Sequence, residues 1–129
     1  MRCAPFVLLG GYTSSRFLYN DSMRNDQIAF LLQQLRTELH RLLGEQIAAI
    51  YLYGSQARGD SRPDSDVDVL VVMHGDFKYF EMVEQTGDIA ARLSLQYDTV
   101  ISLAFSSLEK FNQQNIPFLL NVRQEGIAV

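Results

Sequence analysis

The feature that most constrains this chain is a pair of apolar segments that enclose a loop rich in glycine, serine and aspartate. The segments are Ile47–Tyr53 and Val67–Met73, and their β-branched and aromatic residues predict two strands. The loop opens with Gly54-Ser55, and its far end runs into the second strand as Asp66-Val67-Asp68. Because side chains alternate along a strand, Asp66 and Asp68 are predicted to point to the same face.

This pattern favours phosphate chemistry. Two neighbouring carboxylates repel each other, and a cation compensates for that repulsion. Oxygen ligands of this kind suit Mg²⁺ shared with a substrate phosphate. Gly54 has no Cβ, so the Gly54-Ser55 turn can bring backbone N–H groups and a hydroxyl close to phosphate oxygens. A short helix predicted over residues 56–59 would direct its N-terminus toward the same phosphates.

The spacing of these residues resembles a known signature. Gly-Ser, ten residues and then Asp-x-Asp is similar to the motif of the DNA polymerase β-like nucleotidyltransferases. The fuller form, Gly54-Ser55-x-Ala57-Arg58-Gly59 with Ser65-Asp66-x-Asp68, resembles the minimal nucleotidyltransferases, which are commonly the antitoxin half of HEPN/MNT toxin–antitoxin pairs. The resemblance extends over residues 23–129 and includes the closing segment 117–126. It implies an α+β fold, the polymerase β-like palm, with a small mixed β-sheet packed against helices.

The resemblance also implies a Mg²⁺-dependent enzyme that uses two Mg²⁺ ions and takes ATP as its substrate. Asp66 and Asp68 would hold both ions. Asp98 is the candidate third carboxylate, predicted near the start of a strand over residues 97–105, where it would complete one metal site and accept a proton. The alternative for Asp98 is a solvated residue at the entrance to that strand.

Three residues are predicted to contact the nucleotide. Gly54 and Ser55 would approach the β- and γ-phosphates. Arg58 would either steady the triphosphate charge or brace the turn by pairing with Asp60 or Asp64; both roles stay open at this point.

Composition narrows the substrate class. The chain has 129 residues, a formal net charge of −4 and a single cysteine, Cys3. No basic footprint for direct nucleic acid binding is visible, so a small nucleotide fits better than a polynucleotide. One cysteine cannot form an internal disulfide and fits a reducing cytoplasm, and no apolar run is long enough to cross a bilayer.

The chain is predicted to contain one domain after an N-terminal extension. Residues 1–22 are interpreted as a flexible tail, an added packing segment or an over-long gene start, and residues 23–129 as the minimal nucleotidyltransferase domain. Helices are predicted from residue 25 or 26 to 43, over 77–95, in a short stretch after a capping box at 106–109, and over 117–125. Residues 127–129 are predicted to form an edge strand.

These features give three functional hypotheses. A palm of this size leaves little chain for a second substrate pocket, so the acceptor is expected to be another protein. The leading hypothesis is an antitoxin that transfers AMP from ATP to a tyrosine hydroxyl of a HEPN ribonuclease toxin, as part of a hetero-oligomer with it. The alternatives are a transferase for a small molecule such as an aminoglycoside, and a non-catalytic antitoxin that acts by binding alone.

Overall fold

The computed structural model describes residues 19–59 and 65–129, which form one four-stranded sheet and the helices that cover it. The elements in chain order are α1 (Tyr19–Leu43), a 3-10 turn (Gly44–Gln46), β1 (Ile47–Tyr53), α2 (Ser55–Arg58), β2 (Val67–Met73), α3 (Tyr79–Tyr97), β3 (Ile101–Ser107), α4 (Leu108–Gln113), α5 (Pro117–Glu125) and β4 (Ile127–Ala128). The predicted mixed sheet packed against helices is confirmed.

The sheet has the strand order β3-β2-β1-β4. β2 is antiparallel to β1 and parallel to β3, and the short β4 pairs with β1 as the opposite edge. The bounds predicted for β1 and β2 are confirmed, and β4 occupies the predicted edge position. The parallel pair needs a crossover connection, which α3 provides.

Both faces of the sheet are covered. On one face, α1 and α3 pack their leucines against the inward side chains of β1 and β2, in a cluster that includes Leu35, Leu39, Leu52 and Val69. On the other face, α4 and α5 cover a smaller cluster of Leu70, Val72, Phe111, Leu119 and Val122. Val69 to Val72 of β2 are fully buried, as expected for a central strand covered on both sides.

The first helix begins earlier than its sequence pattern indicated. α1 starts at Tyr19 rather than at residue 25 or 26, so the predicted cap at Asn25 or Asp26 is wrong and the helix crosses the predicted boundary between residues 22 and 23. That domain boundary itself stays a prediction, and residues 1–18 lie outside the described residues. The last buried leucine of α1 is Leu43, whereas its neighbour Leu42 is exposed.

The crossover helix is displaced by two residues from its prediction. α3 spans Tyr79–Tyr97, and its buried stripe is Met82, Thr86, Ile89 and Leu93. Phe80 and Val83 are apolar residues of the same helix, and both are exposed. Thr86 is accommodated in the core because its hydroxyl donates to the Met82 carbonyl at 2.7 Å.

The third strand begins later than predicted, and Asp98 does not lie on it. α3 continues through Tyr97, and Asp98 ends it in the left-handed region, at φ 51° and ψ 49°. The Thr99 N–H donates to the Ser94 carbonyl, which closes the turn, and β3 starts only at Ile101. The expectation of a strand from residue 97 is therefore wrong.

The C-terminal helices follow the sequence signals closely. Ser107 is the N-cap of α4, and its hydroxyl accepts from the Lys110 N–H at 3.2 Å, so the cap lies one residue after Ser106, where the predicted box opened. α5 has the predicted bounds, with Pro117 in its first turn. No helix within 19–59 and 65–129 is long and apolar enough to span a membrane.

Candidate active site

The turn after β1 is built around Gly54. Its backbone lies at φ 75° and ψ −157°, a region that is open essentially to glycine alone. A Cβ at this position would lie 2.6 Å from Oδ2 of Asp68, which is closer than real contacts allow. The turn is closed by its own backbone, since the N–H groups of Ala57 and Arg58 both donate to the Gly54 carbonyl at 3.1 Å. The chain needs glycine here because an aspartate oxygen fills the space of its side chain.

The two carboxylates lie beside this turn at the start of β2. Asp68 pairs across the strands with Tyr53, the last residue of β1, and Asp66 comes directly before the strand. Burial raises the pKa of Asp68, the neighbouring charge of Asp66 raises it further, and Arg58 opposes both effects. Asp66 and Asp68 therefore lie close enough at one end of the sheet for the charge of Asp66 to raise the pKa of Asp68.

Arg58 connects the turn to the last helix. Its guanidinium lies 3.6 Å from the Glu125 carboxylate at the end of α5, and its charge also lowers the pKa of Asp68. The sequence did not indicate this pair, because Arg58 and Glu125 are far apart along the chain. Asp60, Arg62 and Asp64 lie outside the described residues, so the proposed pairing of Arg58 with Asp60 or Asp64 stays a prediction.

Asp98 is not brought into a group of three carboxylates with Asp66 and Asp68. Among the described residues, no set of three His, Cys, Asp or Glu side chains is arranged to hold a metal ion. The parallel register pairs Asp68 with Ser102, and the Val67 N–H donates to the Val100 carbonyl at 2.8 Å. Ser102 of β3 therefore lies beside Asp68, and Val100, just before β3, lies beside Val67. The metal and proton-acceptor roles of Asp98 stay a prediction.

An aromatic pair completes this end of the sheet. Tyr53 packs against Phe118 of α5 in an edge-to-face arrangement, with ring centroids 5.2 Å apart. Burial raises the pKa of Tyr53 to about 12, with smaller contributions from Asp68 and Tyr79. The sequence predicts a strand at Tyr53 and a helix at Phe118 but does not link the two residues, because only the fold brings α5 to the end of β1.

The donor set fits a divalent cation. Asp66 and Asp68 offer oxygen ligands, which Mg²⁺ prefers, and their mutual repulsion is the electrostatic condition that a cation relieves. The absence of a side chain at Gly54 leaves room for the Asp68 carboxylate to lie against the turn. A cation held there would stabilise charge on a transferring phosphoryl group.

This combination of a mixed sheet, a glycine-serine turn and two aspartates at the start of the neighbouring strand defines a nucleotidyltransferase palm. The family model described as "Nucleotidyltransferase domain" matches residues 32–123, which is most of the chain. The chain belongs to the nucleotidyltransferase domain family, and the family predicted from the motif is confirmed.

Two curated relatives come from Methanocaldococcus jannaschii. The protein named "Putative protein adenylyltransferase MJ0604" is 40% identical over 82 residues, which cover 63% of this chain and 76% of the relative. "Putative protein adenylyltransferase MJ0141" is 32% identical over 76 residues, which cover 59% of this chain and 76% of the relative.

Solved structures share the fold at lower identity. A toxin–antitoxin structure with AMP-PNP has a TM-score of 0.53 and 19% identity, covering 74% of this chain and 70% of that chain. A variant of the toxin–antitoxin pair MntA-HpeT has a TM-score of 0.52 and 20% identity, covering 75% of this chain and 70% of that chain.

Proposed function

We propose that this protein is an antitoxin that acts as a Mg²⁺-dependent protein adenylyltransferase and transfers AMP from ATP to a tyrosine hydroxyl of a HEPN ribonuclease toxin. The observation that carries the proposal is the contact between the turn and the carboxylates. The space that a Gly54 side chain would need is taken by Oδ2 of Asp68, so a phosphate chain on the turn would lie directly beside the metal ligands.

The curated relatives support the reaction class, since both carry the name of protein adenylyltransferases. The partner is supported by the motif, which resembles antitoxins of HEPN/MNT pairs, and by the occurrence of the same fold in solved toxin–antitoxin structures. The acceptor is proposed to be a protein because the elements within 19–59 and 65–129 all belong to one sheet and its covering helices.

The proposed reaction is an in-line substitution at the α-phosphorus of ATP. The tyrosine oxygen forms a bond to phosphorus, the bond to the pyrophosphate oxygen breaks, and pyrophosphate leaves. Asp66 and Asp68 would hold the cation, which stabilises the attacking and leaving oxygens when bound. Gly54 and Ser55 would bind the β- and γ-phosphates, and Arg58 would steady their charge.

The phenol gives up its proton during this step. In the proposal the proton passes to Asp98 or to solvent, and a positioned proton acceptor is typically worth about 10²–10⁴-fold in rate. The AMP group adds a negative phosphate to the toxin. Placed near the RNA-binding surface of a ribonuclease, that charge would repel the RNA backbone.

The test is the intact mass of a purified HEPN partner after incubation with this protein, ATP and Mg²⁺. We expect mass increases of one or more AMP groups, and none with an Asp66→Asn/Asp68→Asn variant. If the mass of the partner stays unchanged and this protein does not neutralise the toxin, the acceptor would have to be sought among small molecules such as aminoglycosides.

One structural observation favours a second candidate, an antitoxin that acts by binding alone. The described residues do not form a group of three carboxylates, and Asp98 ends a helix instead of lying on β3. The same double variant separates the two candidates. The binding antitoxin would be established, and the transfer reaction refuted, by two results together. The mass of the HEPN partner would stay unchanged with both the unmodified protein and the variant, and the variant would still neutralise the toxin.

A further inference from the structure

From the position of Phe118, we infer that its ring is the surface on which the nucleobase of the bound nucleotide stacks. This inference rests on the proposed function and deepens it, since it assigns a base-binding residue to a site so far described only by its phosphate and metal ligands. Phe118 lies in the first turn of α5, on the face of the sheet that carries Asp68.

The ring is held in place but is not buried. Its edge-to-face contact with Tyr53 fixes it beside the residue that precedes Gly54 and pairs with Asp68. The residue is nevertheless 38% exposed, and Ile116, just before the helix, is also exposed. An aromatic ring that is fixed on one side and open on the other, one residue from the phosphate-binding turn, is suited to stacking on a flat ligand.

The segment that carries the ring is anchored by polar contacts. Arg123, one and a half turns further along α5, donates to the carbonyls of Phe111 and Gln114 and to Oδ1 of Asn115. These contacts tie the helix to α4 and to the loop between the two helices. The ring is therefore presented from a braced helix start, which limits the ordering cost of binding a ligand there.

The same helix reaches the charged end of the site. Phe118 is near its start, and Glu125 at its end contacts Arg58. The two residues are seven positions apart, about 10 Å along the helix axis. This arrangement places an aromatic surface and a cation at two ends of one helix beside the carboxylates, which matches a ligand with a flat ring at one end and phosphates at the other.

The strand order separates this ligand from the acceptor. The turn and α5 lie on the β1 side of Asp68, whereas β3 lies on the other side. There Ser102 lies beside Asp68, and the exposed Val100 lies beside Val67. We therefore assign the nucleotide to the β1 side and leave the β3 side for the acceptor hydroxyl.

The test uses the absence of tryptophan from the sequence. Phe118→Trp introduces a single tryptophan at the proposed stacking surface, and its fluorescence can be excited selectively in the presence of the tyrosines. Its fluorescence is measured during titration with Mg²⁺ and ATP, and separately with Mg²⁺ and tripolyphosphate, which carries the phosphates without a base. Phe30→Trp is the matched control, because Phe30 is exposed on α1, which packs on the other face of the sheet.

We expect ATP, and not tripolyphosphate, to quench the Phe118→Trp signal, with no change in the control. Calorimetry with Phe118→Ala provides the second measurement, which does not depend on the folding of the tryptophan variant. Loss of the ring should weaken ATP binding by roughly 5- to 150-fold, the usual range for one stacked base, and leave tripolyphosphate binding unchanged.

Three outcomes would overturn the inference. ATP binding by Phe118→Ala with the affinity of the unmodified protein would place the base elsewhere. Quenching of Phe118→Trp by the HEPN partner and not by ATP would assign the ring to a protein contact. Failure of the unmodified protein to bind ATP in calorimetry would refute the nucleotidyl transfer proposal itself, and this inference with it.

Discussion

Replacing Gly54 by alanine tests the central feature of the site. The backbone angles of Gly54 are almost inaccessible to other residues, and forcing alanine into them costs about 1–3 kcal/mol. The new Cβ would also lie 2.6 Å from Oδ2 of Asp68, so either the turn or the carboxylate has to move. For a domain of this size, we expect the thermal midpoint to fall by roughly 3–15 °C and binding of Mn²⁺ with ATP to be lost.

Gly59→Ala is the matched control for this prediction. Gly59 also has a positive φ, 82°, but a Cβ there meets nothing within 4 Å. Alanine at this position should cost about 1–2 kcal/mol from the backbone alone. We expect this variant to lose stability and to keep its affinity for Mn²⁺ with ATP in calorimetry. If Gly54→Ala bound the metal nucleotide as well as Gly59→Ala does, the close approach of the turn to Asp68 would have no functional meaning.

Three further predictions concern charge. Burial and Asp66 raise the folded-state pKa of Asp68 above its ordinary value of 3.8, so the folded state holds this proton more tightly than the unfolded state does. Stability is therefore expected to fall as the pH rises from 3.8 through the folded-state pKa. Asp68→Asn should remove this fall in a series of thermal midpoints against pH, and an unchanged slope would contradict the assigned cause. The Tyr53 phenol should titrate near pH 12 in ultraviolet absorbance, and at a lower pH in Asp68→Asn because that variant removes one charge that raises its pKa. Since the folded state holds the phenol proton more tightly, stability should fall as the pH rises from 10 through 12. Glu38 has a lowered pKa, chiefly because Arg92 donates to it, so the pair stabilises the fold above pH 4.5 and the contribution is lost on acidification. Arg92→Ala should therefore lower the thermal midpoint at neutral pH and match the unmodified protein in acid, and a difference that persisted in acid would assign the effect to packing instead.

The sequence was most informative where local chemistry and tertiary context point the same way. The apolar run of β1 ends before Gly54, and the apolar run of β2 begins after Asp66, so both strands could be bounded from the sequence. The bounds of α5 follow from the proline at its start and the glycine after its end. The close approach of Gly54 to Asp68 is also a consequence of the motif, because antiparallel pairing of its two flanking strands brings the ends of the loop together.

The errors have physical causes that a single sequence does not show. Apolar character alone would place Phe80 and Val83 in the core, but burial on α3 follows the helical period through Met82, Thr86 and Ile89. Thr86 replaces an apolar residue in that stripe because its hydroxyl is satisfied within the helix. A helical period of apolar residues that includes one polar residue is a weak signal for burial. The sequence also does not indicate that Phe80 is 82% exposed.

Asp98 shows how a small shift in an element changes a predicted role. Two extra residues of helix at the end of α3 convert a residue expected at the start of a strand into a left-handed helix terminus. β3 then pairs with β2 in a register that places Ser102 beside Asp68. The role of Asp98 as a third carboxylate therefore depends on where α3 ends, and the sequence predicts the end of a helix only to within a few residues. The Gly54, Asp66 and Asp68 assignments do not depend on that boundary, because two adjacent strands and one loop define their positions.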